Sequence, residues 1–178
     1  MNLAKFDNQS FSRGASRGKE ALWLLVKVLF FLPPWPIPSN FRVSLLKAFG
    51  AEVGTGIVIR SGVDISFPWR LTLGNSIWLG EGVRILSLAE VRIGSNVCIS
   101  QEAFLCTGSH DAASESFDLV VAAIAVNSRS WIAARAFIGP GVEIGADSVV
   151  GASAVIMKSL PPGSFAIGNP AIIRRRKE

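Results

Sequence analysis

Along most of this chain apolar side chains recur at a fixed interval of six residues. The aliphatic anchors are Val53, Ile59 and Ile65; then Leu73, Leu79 and Ile85; then Ile93, Ile99 and Leu105; and, after a polar interruption, Val126, Ile132, Ile138, Ile144, Val150 and Ile156. Many are followed at once by a small residue (Gly54, Gly74, Gly80, Gly94, Ala133, Gly139, Gly145, Gly151). A second set of small or branched residues, including Val63, Val83, Val97, Ala103, Ala136, Val142, Ser148 and Ala154, stands four positions after an anchor. A buried helix face needs apolar spacings of three and four, and a half-buried strand needs strict alternation. An interval of six held for about a hundred residues fits neither and predicts hexapeptide repeats, three short strands making one triangular coil and coils stacking about 4.8 Å apart. The anchors then fill a prism, and turn residues are small because neighbouring backbones approach closely. The expected fold is all-β: a parallel β-helix of about five triangular coils over residues 51–160, preceded by a tail and helical extension over 1–50 and followed by a basic segment over 161–178.

The interval stretches to eight between Ile65 and Leu73 and again between Ile85 and Ile93, and the long break from Leu105 to Val126 falls at the same step of the cycle. All three insertions are therefore expected along one edge of the prism, with 106–125 as a loop extruded from it. A loop on a rigid stack is where function is expected. Upstream, residues 20–32, "EALWLLVKVLFFL", form an apolar run that ends at "PPWPIP". It is too short for a hydrocarbon core, which needs about 20 residues. The first reading is a helix packed on the rest of the protein. The second is peripheral association with a membrane surface, which Trp23, Phe30, Phe31 and Trp35 could enter. Ser39 or Asn40 is predicted to cap a short helix through "FRVSLLKAF", with Gly50 as its C-terminal stop.

Composition agrees with an ordered β-rich domain: 178 residues, 49% hydrophobic, 17% charged, with 17 glycines. Two cysteines, Cys98 and Cys106, are too few for a disulfide framework. The polar first twenty residues show no secretory signal pattern. A cytoplasmic location is expected, at the inner face of the membrane if the apolar helix meets lipid. Much of the formal charge of +5 lies in Arg174, Arg175, Arg176 and Lys177, either a solvated tail or a contact for the phosphates of a small anionic ligand. No basic motif with interleaved aromatics is present, so no nucleic-acid partner is expected. One histidine, His110, occurs in the whole chain, inside the extruded loop.

Residues 40–176 resemble the hexapeptide-repeat acyltransferases. The likeness rests on the repeat, on "CTGSHD" at 106–111, on "WIAARAFIGPGVEIGADSVVGASAVIMKSLPPGSFAIGNPA" at 131–171, and on the basic end. Within that family the chain is most similar to the sugar O-acetyltransferases, and in "FPWRLTLG", "WLGEGVRIL" and "VCISQEAFLCTGSHD" to the colanic-acid type of exopolysaccharide biosynthesis. The resemblance implies a left-handed β-helix, a homotrimer with active sites in clefts between subunits, and transfer of acetyl from acetyl-CoA to a sugar hydroxyl. A cyclic trimer agrees with the physics, because a prism with apolar flat faces can pack around an axis.

A sugar hydroxyl is a weak nucleophile, so attack on a thioester requires a base within hydrogen-bond reach. Imidazole can take a proton near neutral pH. His110 is the sole candidate and matches the family's catalytic histidine. Asp111 is expected either to orient the imidazole or to cap a turn. Glu81 is expected to reach the same cleft as an acceptor contact or imidazole partner, the alternative being a solvated turn residue. On the donor side, Ala134 and Ala152, eighteen apart and hence on adjacent coils, match positions whose backbone N–H groups contact the thioester and pantetheine arm. Such an N–H would stabilise a developing oxyanion. Lys158 matches a lysine that meets CoA phosphate and Arg175 a basic residue near the adenosine end. The chain departs from the pattern at Ile172, where relatives often carry Lys or Arg, so Arg174 or Arg176 would replace that contact, and at Ala133, where they usually carry Gly.

Carbonic anhydrases of the γ class share this fold but need three histidines around zinc, with more than one from a single chain. A chain with one histidine excludes them, and no metal is expected. The readings that stay open are an amino-sugar N-acetyltransferase, a serine acetyltransferase, and a non-catalytic β-helix scaffold.

Overall fold

The structure is a computed structural model that describes residues 2–8 and 11–175. Every anchor of the six-residue repeat lies in a strand, and the strands fall on three parallel faces. Face 1 aligns Val53, Leu73, Ile93, Val126 and Ile144. Face 2 aligns Ile59, Leu79, Ile99, Ile132, Val150 and Ala166. Face 3 aligns Ile65, Ile85, Leu105, Ile138 and Ile156. All but the first of these residues are buried, and so are Val63, Val83, Val97, Ala103, Ala136, Val142, Ser148 and Ala154, which point inward from the corners. One continuous core therefore fills the prism, as the interval requires.

Two features of the corners explain why the interval holds. Where glycine directly follows an anchor, an added side chain would strike the next coil: a Cβ on Gly80 would lie 2.8 Å from the amide nitrogen of Gln101. The third residue after an anchor turns the chain through left-handed backbone, at Gly56, Ser76, Asn96, Arg129 and Asp147 on the edge between faces 1 and 2, and at Gly62, Gly82, Glu102, Arg135 and Ser153 on the edge between faces 2 and 3. Only three of those ten are glycine, so this regularity was invisible to a count of glycines.

The solenoid has about six turns rather than about five. Beyond Ile156, Leu160 bridges to Ile144, and Ser164–Ile167 extends face 2 in parallel with Val149–Val150. The repeat does not show it, because prolines at 161 and 162 break the interval and the inward residue is the small Ala166. The segment assigned to 161–178 thus begins inside the solenoid. Its Ile172–Arg175 strand returns antiparallel over Ser164–Ile167 and covers the open edge. Arg176 and Lys177 lie outside the described residues, and of Arg175 only the backbone is described.

Two helices close the other end, α1 (Arg17–Phe30) and α2 (Ser39–Ala48). The hydroxyl of Ser16 accepts from the amide of Lys19 and caps α1. Trp23 buries its ring against Phe31 and Phe49 and donates from Nε1 to the carbonyl of Ile65 at 2.8 Å. Lys27 reaches Asp64 at 2.6 Å. Neither Ser39 nor Asn40 caps α2: Pro38 precedes it, and the Ser39 hydroxyl instead accepts from the amide of Ile59 at 3.0 Å and donates to its carbonyl. Tertiary pairing with the first coil thus competes successfully with local capping. Buried Arg42 donates to the carbonyls of Phe30, Ile37 and Ile59 at 2.9, 3.1 and 3.0 Å, locking the proline-rich connection onto the prism. Gly50, at φ +96°, ends α2. Among the described residues no helix is long and apolar enough to cross a membrane.

Candidate active site

The three insertions all fall between face 3 and face 1. The first is a turn of 3-10 helix, Pro68–Arg70; the second is Ser87–Glu90; the third is a hairpin of Gly108–His110 against Leu119–Val121, in which His110 stands opposite Leu119. Stacked on one edge, they make a wall that a single coil could not.

His110 is held by its neighbours in a defined state. Its Nδ1 lies 2.9 Å from the carbonyl oxygen of Phe117. A carbonyl can only accept, so Nδ1 carries the proton and Nε2 keeps its lone pair. The Phe117 ring stacks parallel on the imidazole at 4.2 Å, and Phe6 meets it edge-on at 5.5 Å. His110 remains exposed, with a basic nitrogen available to a hydroxyl.

Asp111 caps a turn: its Oδ1 accepts from the amide of Ala113 at 2.8 Å, while its own amide donates to the carbonyl of Asp118. The group that orients the imidazole is the Phe117 carbonyl. Asp118 accepts from the hydroxyls of Ser116 and Ser114 at 2.7 and 2.8 Å, and these bonds hold its carboxyl below the usual aspartate range. The serines of "SESFD" therefore tie off the hairpin tip.

A feature missed from the sequence is the N-terminal strap. The amide of Asn2 donates to the carbonyl of Glu115, Lys5 pairs with the Glu115 carboxylate at 2.6 Å, and Phe6 rests on His110. Farther along, Trp69 Nε1 donates to the carbonyl of Arg13 at 2.8 Å, and Arg70 donates to that of Ser12. Strap, insertions and hairpin enclose a cleft of about 640 Å³ lined by Asp7, Phe11, Trp69, Arg70, Glu90 and Asp118. Aromatic faces with carboxylates and a guanidinium around them suit a sugar ring, which offers C–H faces and hydroxyl edges. The sequence signal for it is "FPWR", two aromatics and a cation inside an eight-residue step of the repeat.

The other predicted site residues divide between two edges. Glu81, Ala134 and Ala152 stack on the edge between faces 2 and 3, joined by backbone bonds from Glu102 to Glu81, Arg135 to Gln101 and Ser153 to Ala134. The amide N–H groups of Ala134 and Ala152 have no acceptor among the described residues. Glu81 accepts from Arg60 at 2.8 Å, which keeps its carboxyl below the usual glutamate range and ionised at neutral pH. His110, Asp111 and Lys158 lie on the opposite edge of face 3. Six residues at about 3.3 Å each put those edges up to about 20 Å apart, and the hairpin leans toward the strap. Within one chain His110 is not brought to Glu81, Ala134 or Ala152. Lys158 lines a small apolar pocket of about 240 Å³ with Met157, Leu160, Pro170 and Ile173.

The outer side of face 2 is an apolar ladder: Val58, Trp78, Cys98, Trp131, Val149 and Phe165 stand in register, with Trp78 and Trp131 about half exposed at 46% and 49%. Face 1 presents Glu52, Thr72, Arg92, Ala125 and Glu143 in the same positions.

No family model matches the chain. It is 39% identical over 177 residues, 99% of its length and 97% of the relative's, to an Escherichia coli K12 protein carrying the name colanic acid biosynthesis acetyltransferase WcaF. It is 29% identical over 143 residues, 79% of this chain and 70% of the relative, to the galactoside O-acetyltransferase of the same organism. Among solved structures, the hexapeptide-repeat acetyltransferase VCA0836 of Vibrio cholerae in complex with acetyl coenzyme A superimposes with a TM-score of 0.82 at 24% identity, covering 97% of this chain and 93% of that one.

Proposed function

This chain belongs to the hexapeptide-repeat acetyltransferases, and we propose that it transfers acetyl from acetyl-CoA to a hydroxyl of a sugar in exopolysaccharide biosynthesis, with His110 as general base. The observation that carries the reading is the Nδ1–H bond to the Phe117 carbonyl, which leaves Nε2 free. As the sugar oxygen attacks the thioester carbon, its proton passes to Nε2. The tetrahedral oxyanion takes hydrogen bonds from backbone N–H groups at Ala134 and Ala152. Collapse breaks the C–S bond, and the imidazolium returns the proton to the departing CoA thiolate. Asp111 serves by closing the hairpin that holds His110. Glu81, ionised beside Arg60, offers the acceptor a hydrogen-bond acceptor. Lys158 meets CoA phosphate and its apolar pocket takes the adenosine end, for which the family resemblance implies Arg175 as a basic contact. None of these steps needs a metal.

The site is completed between copies of the chain in a homotrimer. Two observations support this: the split of the site residues across the two edges of face 3, and the apolar ladder of face 2, whose half-exposed tryptophans suit burial against a second copy. Acetyl-CoA as donor and two free cysteines fit a cytoplasmic location.

The test is thiol release from acetyl-CoA with sugars, nucleotide-linked amino sugars and serine offered side by side. Sugars are expected to be turned over, and His110→Ala to lower the rate by about 10²- to 10⁴-fold with the fold intact. Turnover confined to amines, or a His110→Ala enzyme within about tenfold of wild type, overturns the reading; loss of both acetyl-CoA binding and turnover in the wild type would favour a scaffold.

A further inference from the structure

Face 2 accounts for one exposed apolar surface, and α1 carries another. Every exposed residue between positions 21 and 32 is apolar. Leu22, Leu24 and Leu25 are more than half exposed, at 54%, 56% and 55%, and Val28, Leu29 and Leu32 continue the surface. At 100° per residue these side chains span roughly 160° of the helix, the side opposite Trp23 and Lys27, which dock on the prism.

The surroundings are basic. Residues 11–50 contain Arg13, Arg17, Lys19, Lys27, Arg42 and Lys47 against a single carboxylate, Glu20. Glu20 is engaged by Arg13 at 2.8 Å, and the nearby Asp64 by Lys27 at 2.6 Å. Arg17 and Lys47 are exposed. An apolar helix face with the exposed cations Arg17 and Lys47 on the same two helices is complementary to an anionic headgroup layer. The fourteen residues of α1 rise about 21 Å, short of the roughly 30 Å needed to span, so the helix would lie in the plane of the surface. A second copy fits less well. Apposing two such ridges brings the same cations together, and α1 docks on face 3 at Asp64 and Ile65, away from the flat ladder of face 2.

We infer that α1 is an interfacial helix that seats this protein, apolar side down, on an anionic lipid surface. The seat does not depend on the proposed reaction, but it would orient the active edge. A cleft of about 680 Å³ begins at Leu24 and Lys27 of α1 and shares Trp69 and Leu88 with the cleft beside the hairpin. The two clefts thus adjoin at Trp69 and Leu88, on the edge of the prism that carries the hairpin.

The full-length protein is to be sedimented with vesicles of phosphatidylcholine alone and of phosphatidylcholine containing about one third phosphatidylglycerol. Wild type is expected to pellet with the anionic vesicles, less at high salt, and weakly with the neutral ones. The combined variant Leu22→Gln, Leu25→Gln, Leu29→Gln should keep its circular dichroism spectrum and its thiol release with a water-soluble sugar, and lose at least about tenfold in vesicle affinity. The inference is overturned if wild type stays in the supernatant with both vesicle types, if the variant binds as wild type does, or if the variant changes the mass of the protein in solution, which would show that another copy covers this face. Loss of sugar turnover in wild type would strike the proposed reaction and leave the vesicle result standing.

Discussion

A mixing experiment between two inactive variants tests the shared site directly. His110→Ala removes the base on the hairpin but leaves the edge between faces 2 and 3 intact. Ala152→Trp does the reverse: residue 152 is an exposed turn position, so an indole there is tolerated by the fold while it fills the space a pantetheine arm would occupy. If each site joins one copy's hairpin to the next copy's edge, co-refolding equal amounts restores activity. A hairpin is intact with probability one half and its facing edge with probability one half, so about a quarter of the sites in a random cyclic assembly are complete. The background from His110→Ala alone is about a hundredth of wild type or less, so the signal stands well clear. The assay is thiol release per chain from acetyl-CoA with a sugar acceptor, measured on each parent, on the co-refolded mixture, and on parents mixed without refolding. Activity of the co-refolded mixture no higher than the mean of its parents would refute the reasoning and put both halves of the site in one chain.

Arg42→Met removes a buried fork that serves three backbone carbonyls at 3.1 Å or closer, each such bond being worth about 1.5–3 kcal/mol, offset in part by relief of guanidinium burial. The expected loss is about 3 kcal/mol, a fall of about 1.5 M in urea midpoint if m is about 2 kcal/mol/M; Arg42→Lys should recover little, since an ammonium cannot reproduce the fork. A midpoint unchanged in either variant would contradict the role assigned to Arg42. For Asp118, whose carboxyl is held low by Ser116 and Ser114, the hairpin tip gains stability above the ordinary aspartate value of about 3.8 and loses it as pH falls through the lower folded value. Chemical shifts of the Ser114 and Ser116 amides, followed on acidification, should titrate below that ordinary value, and Ser116→Ala should move the midpoint up. A wild-type midpoint at the ordinary value would show that the hydroxyls do not hold the carboxylate.

Much of the site was legible in the repeat phase. Counting by six placed the 106–125 loop on the same edge as the two eight-residue steps, and the structure stacks Pro68–Arg70, Ser87–Glu90 and the hairpin there. The same count also separates Glu81, two residues after an anchor of face 2, from His110, which follows face 3, so a cleft shared by the two would join one copy's hairpin to another copy's edge. Local chemistry misled where tertiary partners were better: Ser39 had the right identity for a cap but is used by Ile59, and Asp111 caps a turn while a backbone carbonyl orients the imidazole. The strap was illegible because Phe6 and Phe11 sit in a polar, aperiodic stretch whose partners, His110 and Arg70, lie 104 and 59 positions along the chain, and no local pattern encodes such pairings.

The anchors and the small corner residues specify the prism from the sequence, because in a repeat every coil faces the same steric demand and states it again six residues later. Which nitrogen of His110 is basic, which edge each site residue occupies, and which side of α1 stays bare come only with folding. Each depends on a non-repeating contact, made once, between segments that the periodic code does not relate.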